Sequence, residues 1–305
     1  MANLRAIWDN RFFDAAALTP SSQVATLPAV NVQDRLRKRV WRTTGCAAEY
    51  LIANLGDPGE AVRPPALALA LVNHNLTMDG QVRVQAAANV QFNPVLLDLT
   101  FPAWLDIIGY GEGGYGMLGY GGKIPAADLP WYAPEPVRII YLMEDEPLVE
   151  TLKPAGALEL KNYWKISLAD PANPAGYLEV GRVFLSYFEE WAYHWDNWEM
   201  GFQDDSEIVR SRGGQPWTDR RPPYRTLRFH WGGFQDLDKY WSFVFFALKM
   251  GLSRDWILDA LPDAEEIVSA RWFTTLYGRF QQMPKFTHDG YQGISETELH
   301  FSEAL

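Results

Sequence analysis

The side chains best placed to do chemistry lie in acidic stretches. In His194-Trp195-Asp196-Asn197-Trp198-Glu199 an imidazole and two carboxylates stand close together, a donor set that suits a divalent cation. The spacing matches no demanding metal motif, so a surface or interface segment is the favoured reading. Glu144, Asp145 and Glu146, with Asp204, Asp205 and Glu207, supply the carboxylates a glycosidase would set about 5 to 9.5 Å apart as acid and base. A chain with 38 acidic residues makes such clusters by chance. The cluster of Asp204, Asp205 and Glu207 could also seat Ca²⁺, although the ligand order and central glycine of an EF-hand calcium loop are missing. The expectation is therefore no catalytic residue, no metal site and no cofactor, with these clusters serving as solvated loops.

Other chemistries lack their signatures. No Gly-x-Ser-x-Gly elbow, Walker loop or His-Glu-x-x-His segment occurs, and the glycine-rich run 109–122 is not followed by Lys-Ser or Lys-Thr, which argues against phosphate cradling. That run presents Tyr110, Tyr115 and Tyr120, which together with Trp131 are candidates for stacking on sugar faces or on a neighbouring protein. A passive linker loop is the other reading. A basic segment, Arg210-Ser211-Arg212 and then Arg220-Arg221, directly follows Asp204-Asp205, and opposed charges of this kind can fix register between identical subunits. Trp191, Trp195 and Trp198 are candidates for an interface or for packing under a domain junction.

Composition bounds the partners. The formal net charge of −11 argues against nucleic acid, which needs a basic footprint. The local basic run Arg35 to Arg42 reads as a solvated strand edge. Cys46 is the only cysteine, which excludes an intrachain disulfide and fits a reducing compartment. The N-terminal residues carry charges where a signal peptide would be apolar, and no apolar run approaches the roughly 18 residues of a membrane span. Aromatics make up 14% of the chain, with 13 Trp, and suit cores, interfaces and sugar-stacking faces alike.

The elements that must position these residues are mostly strands. Residues from about 4 to 100 alternate in short apolar runs separated by Gly, Pro and Asn turns, the pattern of a β-sandwich. Strand patterning resumes at 137–142, at 163–168 and at 177–185, the last two expected to form a closing pair across the turn Asp170 to Gly176. A strand at 224–231 leads into a helix at 237–250, where Leu237, Trp241, Val244, Phe245 and Leu248 recur at helical spacing and Gly251 stops the run. A short helix at 256–261 and strands at 272–280 and 294–301 complete the prediction. The fold class is thus mainly β: a sandwich over 1–190 with an inserted loop at 109–122, a linker over 191–223, and a small α+β domain over 224–305.

Certain runs carry a resemblance. Leu51 to Gly56, Asn73 to Asn75 and the strands between Tyr163 and Leu185 resemble the discoidin-like, galactose-binding-type jelly roll. Arg39 to Gly45, Asn73 to Thr77, Gly176 to Phe184, Asp205 to Gly214 and Thr275 to Phe280 resemble, in that order, virion structural proteins of long-tailed phages of the distal tail or tail-tip baseplate type. The resemblance implies a non-enzymatic ring component of a virion tail, assembled in the host cytoplasm. It implies a homo-oligomer, commonly a hexamer, between the tail tube and the distal tip proteins. Trp41, His74 and Asn75 are then candidate rim contacts to adjoining tail proteins. The alternative is a carbohydrate-binding module that recognises a host-surface glycan through the sandwich rim.

Overall fold

A computed structural model describes residues 4–36, 38–56, 67–104, 137–142, 163–191, 197–210, 214–234, 237–262, 274–289 and 294–304. The chain divides into a larger unit, Ile7–Glu189 with Ala264–Thr275, and a smaller one, Met1–Ala6 with Glu190–Asp263 and Leu276–Leu305. The fold is mainly β, a jelly-roll-like sandwich and a smaller region of sheet and helix. The first strand, β1 (Leu4–Ile7), lies mostly in the smaller unit.

The larger unit opens with a helical turn, α1 (Arg11–Asp14), and the strand β2 (Ala17–Pro20), followed by a 3-10 turn at Ala29–Gln33. Next come β3 (Trp41–Arg42), β4 (Glu49–Asn54), β5 (Leu67–His74), β6 (Gln81–Ala87), β7 (Leu97–Pro102), β8 (Val137–Tyr141), β9 (Tyr163–Ala169) and β10 (Glu179–Trp191). One layer is the antiparallel sheet β2-β4-β9-β6-β7; the other holds β8, β5, β10 and β3.

Strict alternation builds the first layer. Leu51 and Ala53 on β4, Val82, Val84 and Ala86 on β6, and Trp164, Ile166 and Leu168 on β9 all point inward, and their neighbours face out. They meet Leu67, Leu69, Leu71, Val183 and Leu185 of the opposite layer in one core. Each of the Leu, Val and Ile side chains among them, once buried, contributes about 1.5–3 kcal/mol. β5 is buried on both faces, with Ala68, Ala70 and Val72 on its second side, so alternation fades there into a continuous apolar run.

One expectation changes here. β9 and β10 do not pair with each other. β9 lies between β4 and β6, and β10 runs beside β3 and β5. The turn Asp170 to Gly176 carries the chain from one layer to the other, and the buried Asp170 and Asn173 hold it in place of hairpin hydrogen bonds.

The smaller unit adds β11 (Asn197–Gln203), β12 (Glu207–Arg210), β13 (Pro216–Asp219), β14 (Tyr224–Phe234), the helix α2 (Leu237–Met250), β15 (Trp256–Asp259), β16 (Thr275–Asp289) and β17 (Ile294–Glu303). Its sheet runs β11-β14-β17-β16-β15-β1, and β12 with β13 forms a separate two-stranded ribbon. The stretch 191–223, expected as a linker, therefore contributes three strands to this unit. Residues 256–259, expected as a helix, are the strand β15. All four of its residues are buried, so no period of two is visible. The helix forms where helical spacing places it, and Gly251 ends it with φ +53°.

Aromatic edges fill this second core. Trp256 contacts Phe246, Phe280 and Phe301 with centroids 4.5–5.1 Å apart, and Trp191 packs on Phe243 and Phe246. Trp191 thus serves packing, not an open interface. Gly278 lets β16 and β17 close, because a Cβ there would lie 2.0 Å from the Ser302 carbonyl oxygen. Arg225 is buried and donates to both carboxylate oxygens of Glu303, at 3.0 and 2.7 Å.

Candidate functional site

The turn after β5 gathers most of the polar chemistry of the sandwich. Asn73 sits in the left-handed region at φ 55°, a conformation asparagine tolerates better than other non-glycine residues, and it redirects the chain at the strand end. Asn75 then staples two segments. Its Oδ1 accepts from the Glu179 amide at 2.7 Å, and its Nδ2 donates to the Tyr177 carbonyl at 3.0 Å. Asn173 donates to the Asn75 carbonyl at 2.9 Å and to Asp170 at 3.0 Å, while Asp170 accepts from the Thr77 amide and hydroxyl at 2.6 and 2.9 Å. These groups satisfy one another, so Asn75 is committed to structure. Trp41 is likewise committed. It is buried in the core and donates its indole N–H to the Ser22 carbonyl at 3.0 Å.

His74 differs from both. Its ring is buried, and neither Nδ1 nor Nε2 has a hydrogen-bond partner. The half-buried Trp104, just beyond β7, meets it edge-on at 5.3 Å between centroids and donates its own N–H to the Leu76 carbonyl at 2.7 Å. Arg138 on β8 is also buried, donating to the carbonyls of Pro102 and Ile139 at 3.2 and 2.9 Å. Burial, and then the Arg138 charge, push the imidazole pKa down to about 3. At neutral pH the ring is therefore uncharged, with one donor and one acceptor nitrogen unused. Such a ring is a poor general acid, and both of its nitrogens are covered by the surrounding chain. Trp104 and Arg138 were not legible as partners of His74, since they are brought to it only by the pairing of β5 with β8 and the turn after β7.

The acidic and basic residues serve the start of the ribbon. Asp204 accepts from the Ser206 amide at 2.8 Å, and its hydrogen bonds to Ser206 hold its carboxyl below the usual range. Asp205 accepts from Gln203 at 2.9 Å. Arg210 is exposed on β12 opposite Pro216, and Glu199 lies 3.7 Å from Arg228. Among the described residues no three His, Cys, Asp or Glu side chains are gathered to hold a metal, and no helix is long and apolar enough to cross a membrane. Tyr110, Tyr115, Tyr120, Trp131, Glu144, Asp145, Glu146, His194, Trp195, Asp196 and Arg212 lie outside the described residues.

The sequence reading missed a second kind of surface, which lies in the smaller unit. On the ribbon, Ile208, Val209 and Trp217 are 67%, 61% and 75% exposed. On α2, Trp241, Phe245 and Leu248 are 52%, 66% and 65% exposed, a stripe one helical face wide. The helical spacing picked out Leu237, Trp241, Val244, Phe245 and Leu248 as the packing stripe, whereas Trp241, Phe245 and Leu248 face solvent and Phe243, Phe246 and Ala247 are the inner residues.

No protein-family model and no curated protein matches the chain. Partial similarity extends to solved structures. The lectin domain of lectinolysin, complexed with Lewis B antigen, is 11% identical and aligns over 59% of this chain and 99% of that one, with a TM-score of 0.34. A chain in the tail of an empty gene transfer agent particle of C6 symmetry is 17% identical over 39% of this chain and 84% of that one, at TM-score 0.25. A chain in the virion of the native gene transfer agent particle is 17% identical over 39% and 85%, at 0.24. Likeness of that degree fixes neither fold nor activity.

Proposed function

We propose that this chain is a non-enzymatic component of a phage tail or related virion whose sandwich unit binds a surface glycan. The observation that carries the glycan reading is the cluster at the end of the sandwich. There the half-buried indole of Trp104 meets the buried imidazole of His74 edge-on, and the indole is the face of this pair that a sugar would reach. Sugar recognition needs an aromatic face together with a few convergent polar groups. The tail setting rests on the ordered sequence resemblance. A glycan array probed with the full chain tests the reading. Saturable binding that Trp104→Ala weakens at least about tenfold supports it, and a blank array sinks it.

A second reading, a distal tail-like connector that forms a symmetric ring, is favoured by the exposed apolar ribbon and helix stripe of the smaller unit. Monomeric proteins rarely leave such surfaces uncovered. The two readings are compatible, because they use different units.

A further inference from the structure

The ribbon and the outer stripe of α2 have complementary chemistry. Across the antiparallel ribbon Val209 stands directly opposite Trp217, and Glu207 opposite Asp219. Opposed residues and their neighbours two along share a face, so one face of the ribbon presents an apolar pair bordered by two carboxylates. Arg221 lies 4.0 Å from Glu207 and 3.3 Å from Asp219, and one cation between two anions leaves this face negative. The opposite face carries Ile208, Thr218, Arg210 and Pro216.

On α2 the order is matched with reversed sign. Trp241, Phe245 and Leu248 form the apolar stripe, and Leu252, 48% exposed, extends it past the helix end. Lys249, a turn beyond Phe245, and the exposed Arg254 stand at that end. An isolated two-stranded ribbon is marginal in water and gains most from a surface that covers it. Ribbon and stripe are both exposed within one chain, so the ribbon does not cover its own helix.

We infer that the Val209–Trp217 face of the ribbon docks on the Phe245–Leu248 stripe of α2 in a second copy of this chain, with Glu207 and Asp219 set against Lys249 and Arg254. The contact is heterologous, one face meeting a different face, and repeated around an axis it closes a ring. The inference deepens the connector reading and rests on it.

Light scattering of the full chain across a range of concentrations, with Trp217→Ser and Phe245→Ser beside the wild type, tests it. The wild type is expected to form a closed oligomer, and each variant to weaken self-association at least about 30-fold. Both side chains are exposed, so the variants should keep the wild-type circular dichroism. Leu248→Ser serves if Phe245→Ser does not fold. The decisive sample is an equimolar mixture of the two variants. It contains one intact ribbon face and one intact stripe, so it should stop at a dimer of twice the chain mass. Rings that persist in either variant, or a mixture that stays monomeric while the wild type forms rings, overturn the ribbon-to-helix contact and leave the ring reading standing. A wild type that is monomeric at every concentration overturns both.

Discussion

The two units solve opposite problems with the same residue types. In the sandwich, Trp164 and Trp41 are buried, and nearly every polar group of the β5 turn finds a partner within the unit. In the smaller unit, Trp217 and Trp241 face solvent, although Trp256 and Trp191 fill a dense aromatic core. The lesson is that aromatic content does not separate core from contact surface. Position within a layered sheet does. A tryptophan on a strand between two layers is covered by its own chain, and one on an unlayered ribbon is left for something else to cover.

Truncation should break this contrast most clearly. Trp164→Ala opens a cavity inside the sandwich and is expected to cost about 3–5 kcal/mol in urea denaturation. Arg225→Ala should cost about 3–5 kcal/mol in the smaller unit, because it strands the largely covered Glu303 carboxylate. A loss under 1 kcal/mol there would mean that the unit relaxes to hydrate Glu303.

Acid sharpens the comparison next. The unfolded chain takes up a proton on His74 below about its ordinary pKa of 6.5, and the folded chain only below about 3. The unfolded state thus binds more protons in that window, and stability falls as pH is lowered through it. The loss is about 2 kcal/mol at pH 5 relative to neutral pH. His74→Leu should remove this component, as read from denaturation midpoints at both pH values. An unchanged pH profile would show that the ring is hydrated in solution.

The smallest effect is expected at the exposed tryptophan. Trp217→Ser should change monomer stability by no more than about 0.5 kcal/mol. The same residue type would then cost several kcal/mol at position 164 and almost nothing at 217. A large loss at 217 would mean that the ribbon packs on its own chain.

Much of this architecture was legible because its period is visible. The inward residues of β4, β6 and β9 alternate cleanly, and α2 falls where apolar residues recur every three or four positions. β15 was illegible because a strand buried on both faces has no polar beat. The β12–β13 ribbon was read as linker because its Asp, Ser, Arg and Gly residues look like loop punctuation, and because Ile208, Val209 and Trp217 are too few to mark a strand without a layer behind them. The candidate site was half legible. His74 and Asn75 stood out as a polar pair, but that one would be fully bonded and the other left alone depends on partners about a hundred residues away, such as Glu179 for Asn75. Trp104 and Arg138 carried no local signal linking them to His74.

Most of the larger unit, Ile7–Glu189, lies in sequence between β1 and the strands that follow Glu190, and its second segment, Ala264–Thr275, comes later. On the ribosome, the strands of both sandwich layers emerge before most of the smaller unit exists, and domains generally fold as units from the N-terminus. One of the two sheet neighbours of β1, the strand β15, arrives more than two hundred residues later. The ribbon and α2 are thus made before β16 and β17, the long strand pair of the same unit.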